Sequence, residues 1–203
     1  MLTTDKIDNR TIYEPPAGNL HVLGSIGSNA DVTIRNGNLI VEGNIGDNST
    51  IKCKSDTQIG SCSFFNNAPY TFVEIRGNVG SNVKIYLSVG DVTVKGIVGS
   101  HSMINIKFLG SIVAGRVDDH VSMICGDSIT ADDVGADTSM IVCGKAGRIR
   151  VNSIGDNTRL YAPGSKSTVT VLWPQPVTPT TPRNEDDTDS QQVSIRTMHA
   201  GPF

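Results

Sequence analysis

The chain has 203 residues, of which 37% are hydrophobic, and it carries a formal net charge of −3 at pH 7. This length supports one domain with a substantial core, and the slight acidic excess lacks the basic footprint of a nucleic-acid-binding protein. The 21 glycines and the 5% aromatic content favour a narrow repeat fold whose interior is filled by Val, Ile and Leu. Nucleic acid is therefore not expected as a partner.

Residues 1–17 are predicted to form an N-terminal cap that precedes the first repeat. The segment Tyr13-Glu14-Pro15-Pro16 is unsuited to a strand ladder, because proline cannot donate a ladder hydrogen bond. An open end of a repeat fold also needs cover for its unpaired strand edges. The start of the chain lacks the apolar core of a signal peptide, and no run is long enough to span a bilayer. We therefore expect a cytoplasmic protein without a transmembrane segment.

From residue 18 onwards a single pattern recurs, in which a β-branched anchor is followed by glycine or aspartate. The anchors are Ile26, Ile45, Val79, Val98, Val117, Val134 and Ile154, with successive spacings of 19, 34, 19, 19, 17 and 20 residues. Three positions after each anchor stands a polar residue, namely Asn29, Asn48, Asn82, His101, His120, Asp137 or Asn157. A period of this length suits one turn of a parallel β-solenoid.

Apolar residues two apart flank each anchor, as Leu20 and Val22 precede Ile26, and Val32 and Ile34 follow it. Alternating β-branched residues bounded by glycine predict short strands with one buried face. The predicted fold class is all-β, a single-stranded parallel β-helix of about eight rungs over residues 18–173. Each rung is expected to hold three short strands, and the coil to be right-handed rather than left-handed.

Residues 54–71 interrupt the repeat, and two interpretations are open. Ile59-Gly60 resembles a degenerate anchor, which favours a distorted rung; otherwise the stretch is a loop insertion. Phe64, Phe65 and Tyr70 form the densest aromatic cluster of the chain and are candidate binding residues, because functional loops often leave a regular scaffold. The alternative is that these aromatic side chains fold back onto the solenoid wall.

Residues 174–203 are predicted to be a disordered tail, because a Pro/Thr-rich stretch followed by the acidic run from Glu185 to Asp189 cannot bury enough apolar surface to order itself. About twenty residues at this end resemble the export signals of proteins that some intracellular bacterial pathogens deliver through a type IV secretion system. The resemblance implies export by a non-Sec route into a host cell. The alternative is a plain solvated tail.

Within the polar column, His101, His120 and Asp137 are candidate metal ligands. In-register rungs would place them one above another at the spacing of adjacent strands, about 4.8 Å. Imidazole and carboxylate groups at that separation could bind a divalent ion. The alternative is a structural corner ladder, since Asn and Asp tolerate corner conformations.

Other chemical motifs are sparse. Asp118-Asp119 and Asp132-Asp133 could form an acidic ledge of the kind that polysaccharide-active β-helix enzymes use. No nucleophile elbow, phosphate loop or zinc-protease motif occurs, and no cofactor is predicted. The four cysteines lack zinc-type spacing and are expected to be small buried thiols, with Cys125 and Cys143 stacked one rung apart.

Two families share this repeat pattern. The runs from Ile26 to Val32 and from Ile45 to Ile51 look like the hexapeptide repeat of left-handed β-helix acyltransferases, which implies a trimer with a catalytic histidine, here His101 or His120. This chain departs from that pattern because unbroken hexads never run through a full coil. The run from Val92 to Gly99 (Val-Thr-Val-Lys-Gly-Ile-Val-Gly) resembles more closely the repeats of bactofilins and of flagellar-assembly protein A. That resemblance covers residues 18–172 and implies a parallel β-helix that, in bactofilins, polymerises end to end.

Three functions follow as hypotheses. The first is a non-enzymatic scaffold whose partner is another protein or a second copy of itself, because uniform rungs with few side loops suit surface presentation or stacking. The second is a translocated effector whose solenoid binds a host protein. The third is an acyl-transferring or carbohydrate-active enzyme that uses His101, His120 and the neighbouring aspartates.

Overall fold

The computed structural model describes residues 1–54 and 70–172, and every helix-or-strand element in these ranges is a β-strand. The strands are β1 (Leu2–Thr4), β2 (Ile12–Tyr13), β3 (Leu20–Val22), β4 (Asp31–Arg35), β5 (Leu39–Val41), β6 (Thr50–Lys54), β7 (Thr71–Ile75), β8 (Lys84–Leu87), β9 (Gly90–Val94), β10 (Met103–Ile106), β11 (Ser111–Ala114), β12 (Ser122–Cys125), β13 (Ser128–Val134), β14 (Ser139–Val142), β15 (Arg148–Ile154), β16 (Arg159–Tyr161) and β17 (Thr168–Val171).

The strands build two parallel sheets that share the successive coils of one solenoid. The odd-numbered strands form a nine-stranded sheet in chain order, and the even-numbered strands form an eight-stranded sheet, also in chain order. The third side of most coils is a single bridge between anchors, beginning with Ile7 to Ile26 and ending with Val117 to Val134. The predicted fold class, an all-β parallel solenoid of about eight coils, is confirmed. Its right-handed sense stays a prediction.

The core is a stack of identical layers. Leu20, Ile26 and Val32 are each at most 1% exposed, and in register they meet Leu39, Ile45 and Ile51 of the next coil. Each coil therefore buries its apolar face against its neighbours, because no single coil has enough residues to enclose a core alone. Residues six apart, such as Leu20, Ile26 and Val32, therefore point inward from the three sides of one coil.

The ladder begins before the predicted first rung. Leu2 pairs with Leu20, Ile7 with Ile26, and Tyr13 with Val32, so residues 2–13 already form a coil. Residues 1–17 were predicted to precede the first repeat, and the structure pairs residues 2–13 of this segment with the next coil, while Pro15 and Pro16 follow β2 outside the strands. The repeat pattern did not include this coil because its corner residue, three positions after the anchor Ile7, is Arg10, whereas the other corners hold Asn, His or Asp. A capping role for this coil stays a prediction.

The coils on either side of the long spacing between the anchors Ile45 and Val79 pair directly with each other. Ile45 bridges directly to Val79, and β5 and β6 pair directly with β7 and β8. The coils on either side are therefore immediate neighbours. Residues 55–69, which include Phe64 and Phe65, lie outside the described residues, as do residues 173–203.

Candidate functional site

The polar column three residues after each anchor is set by the backbone. Its members have φ between 53° and 61°; they are Arg10, Asn29, Asn48, Asn82, His101, His120, Asp137 and Asn157. Asn, Asp and His are enriched among the non-glycine residues that adopt this left-handed conformation. Corner geometry by itself therefore accounts for the residue types in the column.

The predicted metal ligands lie one above another along the solenoid axis. The ring centroids of His101 and His120 are 4.8 Å apart, and His120 Nε2 lies 3.7 Å from Asp137 Oδ2. His101 and Asp137 are two coils apart, about 9.6 Å at the usual strand spacing. In residues 1–54 and 70–172, no three His, Cys, Asp or Glu side chains are grouped to hold one ion. Neighbours in the column are close to one another, and a metal-binding role for the three residues stays a prediction.

The paired aspartates join successive coils. Asp119 Oδ1 accepts a hydrogen bond from the backbone N–H of Ala136 at 2.7 Å, and Asp133 Oδ1 accepts one from Ser153 Oγ at 2.6 Å. Asn78 Oδ1 accepts the N–H of Ile97 in the same way at 2.8 Å. Asp119 and Asp133 therefore each hold a hydrogen bond to the next coil, and a catalytic role for the paired aspartates stays a prediction.

A column of buried hydroxyls, which the sequence analysis missed, lies four residues after alternate anchors. Ser49, Ser102 and Thr138 are at most 2% exposed. Ser102 Oγ accepts the N–H of Val83 at 3.1 Å and donates to Gly80 O at 2.9 Å, both in the preceding coil. Each hydroxyl thus satisfies two buried backbone groups that no strand reaches. The sequence signal was present, as Ser or Thr alternates with Ala30, Val83 and Val121 at this position.

The three described cysteines divide into two kinds. Cys53 and Cys125 are buried, and burial raises the pKa of each thiol to about 12. Cys143 is exposed, and the residue that pairs with Cys125 is Val142. The predicted stacking of Cys125 on Cys143 is therefore wrong by one residue, which on a strand moves a side chain to the opposite face. Cys62 lies outside the described ranges.

This division predicts selective thiol labelling. In a Cys62→Ser variant at pH 8, we expect one thiol per chain to react rapidly with Ellman's reagent. A pKa of about 12 leaves only about one part in ten thousand of Cys53 and Cys125 as the reactive thiolate. The further change Cys143→Ser should abolish the rapid phase. Rapid reaction of two or three thiols would contradict the buried positions of Cys53 and Cys125.

Tyr70, the described member of the aromatic cluster, lies where the chain re-enters the solenoid. Its ring is 56% exposed, and its hydroxyl lies 2.7 Å from Asp91 Oδ1. Desolvation and this hydrogen bond raise the pKa of the phenol. The hydroxyl is thus tied to β9 while the ring faces solvent. A binding role for Tyr70, together with Phe64 and Phe65, stays a prediction.

The outer face of the eight-stranded sheet carries an apolar stripe in its C-terminal half. Tyr86 aligns with Asn105, and the column continues through Ile124, Ile141 and Tyr161. The side chains of Ile124 and Ile141 are half-buried and Tyr161 is exposed. Only the strand register reveals the stripe, because these residues are 17 to 20 positions apart in the chain.

The N-terminal end of the solenoid has an open edge. Leu2 stacks on Leu20, which is 1% exposed, yet Leu2 itself is 42% exposed, because among residues 1–54 and 70–172 no strand pairs with the other edge of β1. The N–H of Leu2 and the C=O of Thr4 both bond towards β3. In a parallel ladder the residue between them, Thr3, directs its N–H and C=O away from β3, to the open side.

The C-terminal end of the described solenoid is open in the same manner. Val169 stacks on Ile149, which is 1% exposed, but is itself 38% exposed. The N–H groups of Thr168 and Leu172 bond to β15, so Val169 and Val171 direct theirs outward. Within residues 1–54 and 70–172, no element covers β17 or its counterpart β16.

Within the same ranges, no helix is long and apolar enough to cross a membrane. Comparison of the chain with protein-family models, curated proteins and solved structures finds no match. The likeness of its repeats to those of bactofilins and hexapeptide-repeat acyltransferases therefore stays a hypothesis.

Proposed function

We propose that this chain is a non-enzymatic scaffold that self-assembles by stacking its solenoid end to end. The observation that carries the proposal is that the described residues leave both ends of the solenoid uncovered, where Leu2 and Val169 occupy core positions yet are 42% and 38% exposed. An uncovered strand edge with apolar side chains behind it is a template for pairing with another chain.

The two ends are complementary in direction. All strands of both sheets are parallel, so β1 of a second copy can continue the ladder beyond β17, and β2 can continue it beyond β16. Contact between two different ends is heterologous, and repeated contact of this kind produces an open filament unless a rotation closes it. The similarity of the run from Val92 to Gly99 to repeats of filament-forming bactofilins adds support.

Light scattering coupled to size-exclusion chromatography, over a concentration series of the full chain, tests the proposal. We expect the mass to rise with concentration. Thr3→Pro should raise the concentration needed for assembly about fivefold, because it removes one edge N–H whose hydrogen bond is worth roughly 1 kcal/mol. The change leaves the bonds between β1 and β3 intact, since they involve Leu2 and Thr4.

Thr3→Ala is the matched control, because it shortens the same exposed side chain but keeps the N–H. It should assemble like the unaltered chain. A monomer at every concentration, or equal assembly by the proline and alanine variants, would refute end-to-end stacking through β1.

A further inference from the structure

Four cations form a basic patch on the last two coils: Lys145, Arg148, Arg150 and Lys166. Arg148 and Arg150 alternate with the buried Ile149 and Val151 along β15, so both point outward from the nine-stranded sheet. Lys166 donates its backbone N–H to Lys145 O at 3.0 Å, which places the two lysines at the same corner in successive coils. All four residues are exposed, and long cationic side chains of this kind keep the charged group in water even where the aliphatic stem lies along the surface.

The patch lacks the acidic partners that cations have earlier on the same sheet. There, Arg76 pairs with Glu42 at 2.8 Å, and Lys95 pairs with Glu74 at 3.0 Å. Within residues 1–54 and 70–172, no carboxylate is recorded in an ion pair with any of the four patch residues. Between positions 138 and 172 the sequence contains one acidic residue, Asp156, against five Lys and Arg.

Carboxylates are frequent in the sequence that follows the last described residue, Leu172. Glu185, Asp186, Asp187 and Asp189 place four carboxylates within five residues. Twelve residues, 173–184, separate this acidic run from Leu172, and a chain of that length reaches at most about 40 Å. Thr168 and Thr170 of β17 pair with Arg148 and Arg150, so the last described strand lies beside the patch.

We propose that the acidic run from Glu185 to Asp189 binds the basic patch of its own chain. Single exposed ion pairs are weak, but a short tether gives an effective concentration in the millimolar range, and several pairs then act together. The tether favours the chain's own tail over a second copy. Docking would hold the tail beside β17, and it should weaken as salt screens the charges, since the Debye length falls from about 10 Å at 0.1 M to about 3 Å at 1 M. This inference does not depend on end-to-end stacking.

Zero-length cross-linking of the full chain tests the proposal. A water-soluble carbodiimide joins a carboxylate to a lysine amine in contact with it, and mass spectrometry of the monomer fraction locates the bonds. We expect links from Lys145 or Lys166 to the acidic run. The Lys52–Asp31 pair, at 2.7 Å, is the internal positive control. An equal mixture of ¹⁵N-labelled and unlabelled protein distinguishes links within one chain from links between chains.

Charge variants make the test specific. Arg148→Gln combined with Arg150→Gln should lower the yield of these links about fivefold, as should Asp186→Asn combined with Asp187→Asn. Arg159→Gln is the matched control, because Arg159 is an exposed cation of the same coils on the other sheet, and it should change nothing. Links that join differently labelled chains, that spread equally to Lys84 and Lys107, that persist in the double arginine variant, or that are absent while Lys52–Asp31 forms would each overturn the proposal.

Discussion

Replacing Gly110 by alanine is expected to cost more than about 4 kcal/mol of folding free energy, or to prevent folding altogether. Gly110 has φ of +139°, and a Cβ there would lie 1.7 Å from Gly90 O in the preceding coil. Gly90 repeats the arrangement, with φ of +135° and Thr71 O at 1.7 Å. The obstructing atom is backbone held in a ladder, so it cannot move aside as a flexible side chain would.

The Gly18→Ala variant distinguishes the two causes of the loss at Gly110, which are the strained backbone conformation and the close approach of the preceding coil. Its φ is +124°, but a Cβ there would have no atom within 4 Å. Gly18→Ala should therefore cost only the strain of the backbone conformation, about 1–3 kcal/mol. Chemical denaturation followed by circular dichroism measures both variants. Equal losses in Gly18→Ala and Gly110→Ala would show that close approach of the coils contributes nothing.

Ser102→Ala is expected to destabilise the solenoid by about 2–4 kcal/mol, although it removes a single oxygen atom. The change leaves Val83 N–H and Gly80 C=O without the partner that each has in Ser102 Oγ. Ser102 is 2% exposed, so water cannot replace the hydroxyl unless the coils separate. A buried group left without a hydrogen bond costs about 1–3 kcal/mol, and here there are two.

Ser100→Ala, two residues earlier in the same corner, is the control. Ser100 is half-buried and its hydroxyl has no recorded hydrogen bond, so its loss should change the free energy of unfolding by less than about 0.5 kcal/mol. Urea denaturation at matched protein concentration compares the two. A Ser102→Ala variant as stable as Ser100→Ala would mean that Val83 and Gly80 find other partners.

Prediction from the sequence worked where residue spacing alone carries the information. The anchors and their flanking apolar residues identified the strands and buried faces. This worked because each repeat position occupies the same place in every coil. The column from Asn29 to Asn157 was also identified, including the contact of His101 with His120. A metal-binding role for His101, His120 and Asp137 stays a prediction, because their stacking in successive coils is also what corner geometry alone produces.

The first coil and the exposure of Cys143 are two features that residue spacing did not predict. Ile7 lies in the anchor column although its corner residue, Arg10, does not match the repeat, since the bridge to Ile26 does not depend on the residue type at the corner. Cys143 was expected to be buried, but a shift of one residue relative to Cys125 places it on the exposed face. Because side chains alternate between the two faces of a strand, an error of one residue moves the predicted side chain to the opposite face.

The sequence by itself determined the solenoid, its period and its corners, since each depends on residue type at fixed local spacing. Only the tertiary structure decided which core positions are exposed, where like charges gather and which hydroxyl groups are buried. The exposed core positions Leu2 and Val169, the basic patch around Arg148 and Arg150, and the buried hydroxyl of Ser102 all depend on what lies in the neighbouring coil or on there being none. That information comes from strand register across 17 to 34 residues of chain, because hydrogen bonding and burial are set by contacts between coils and not within them.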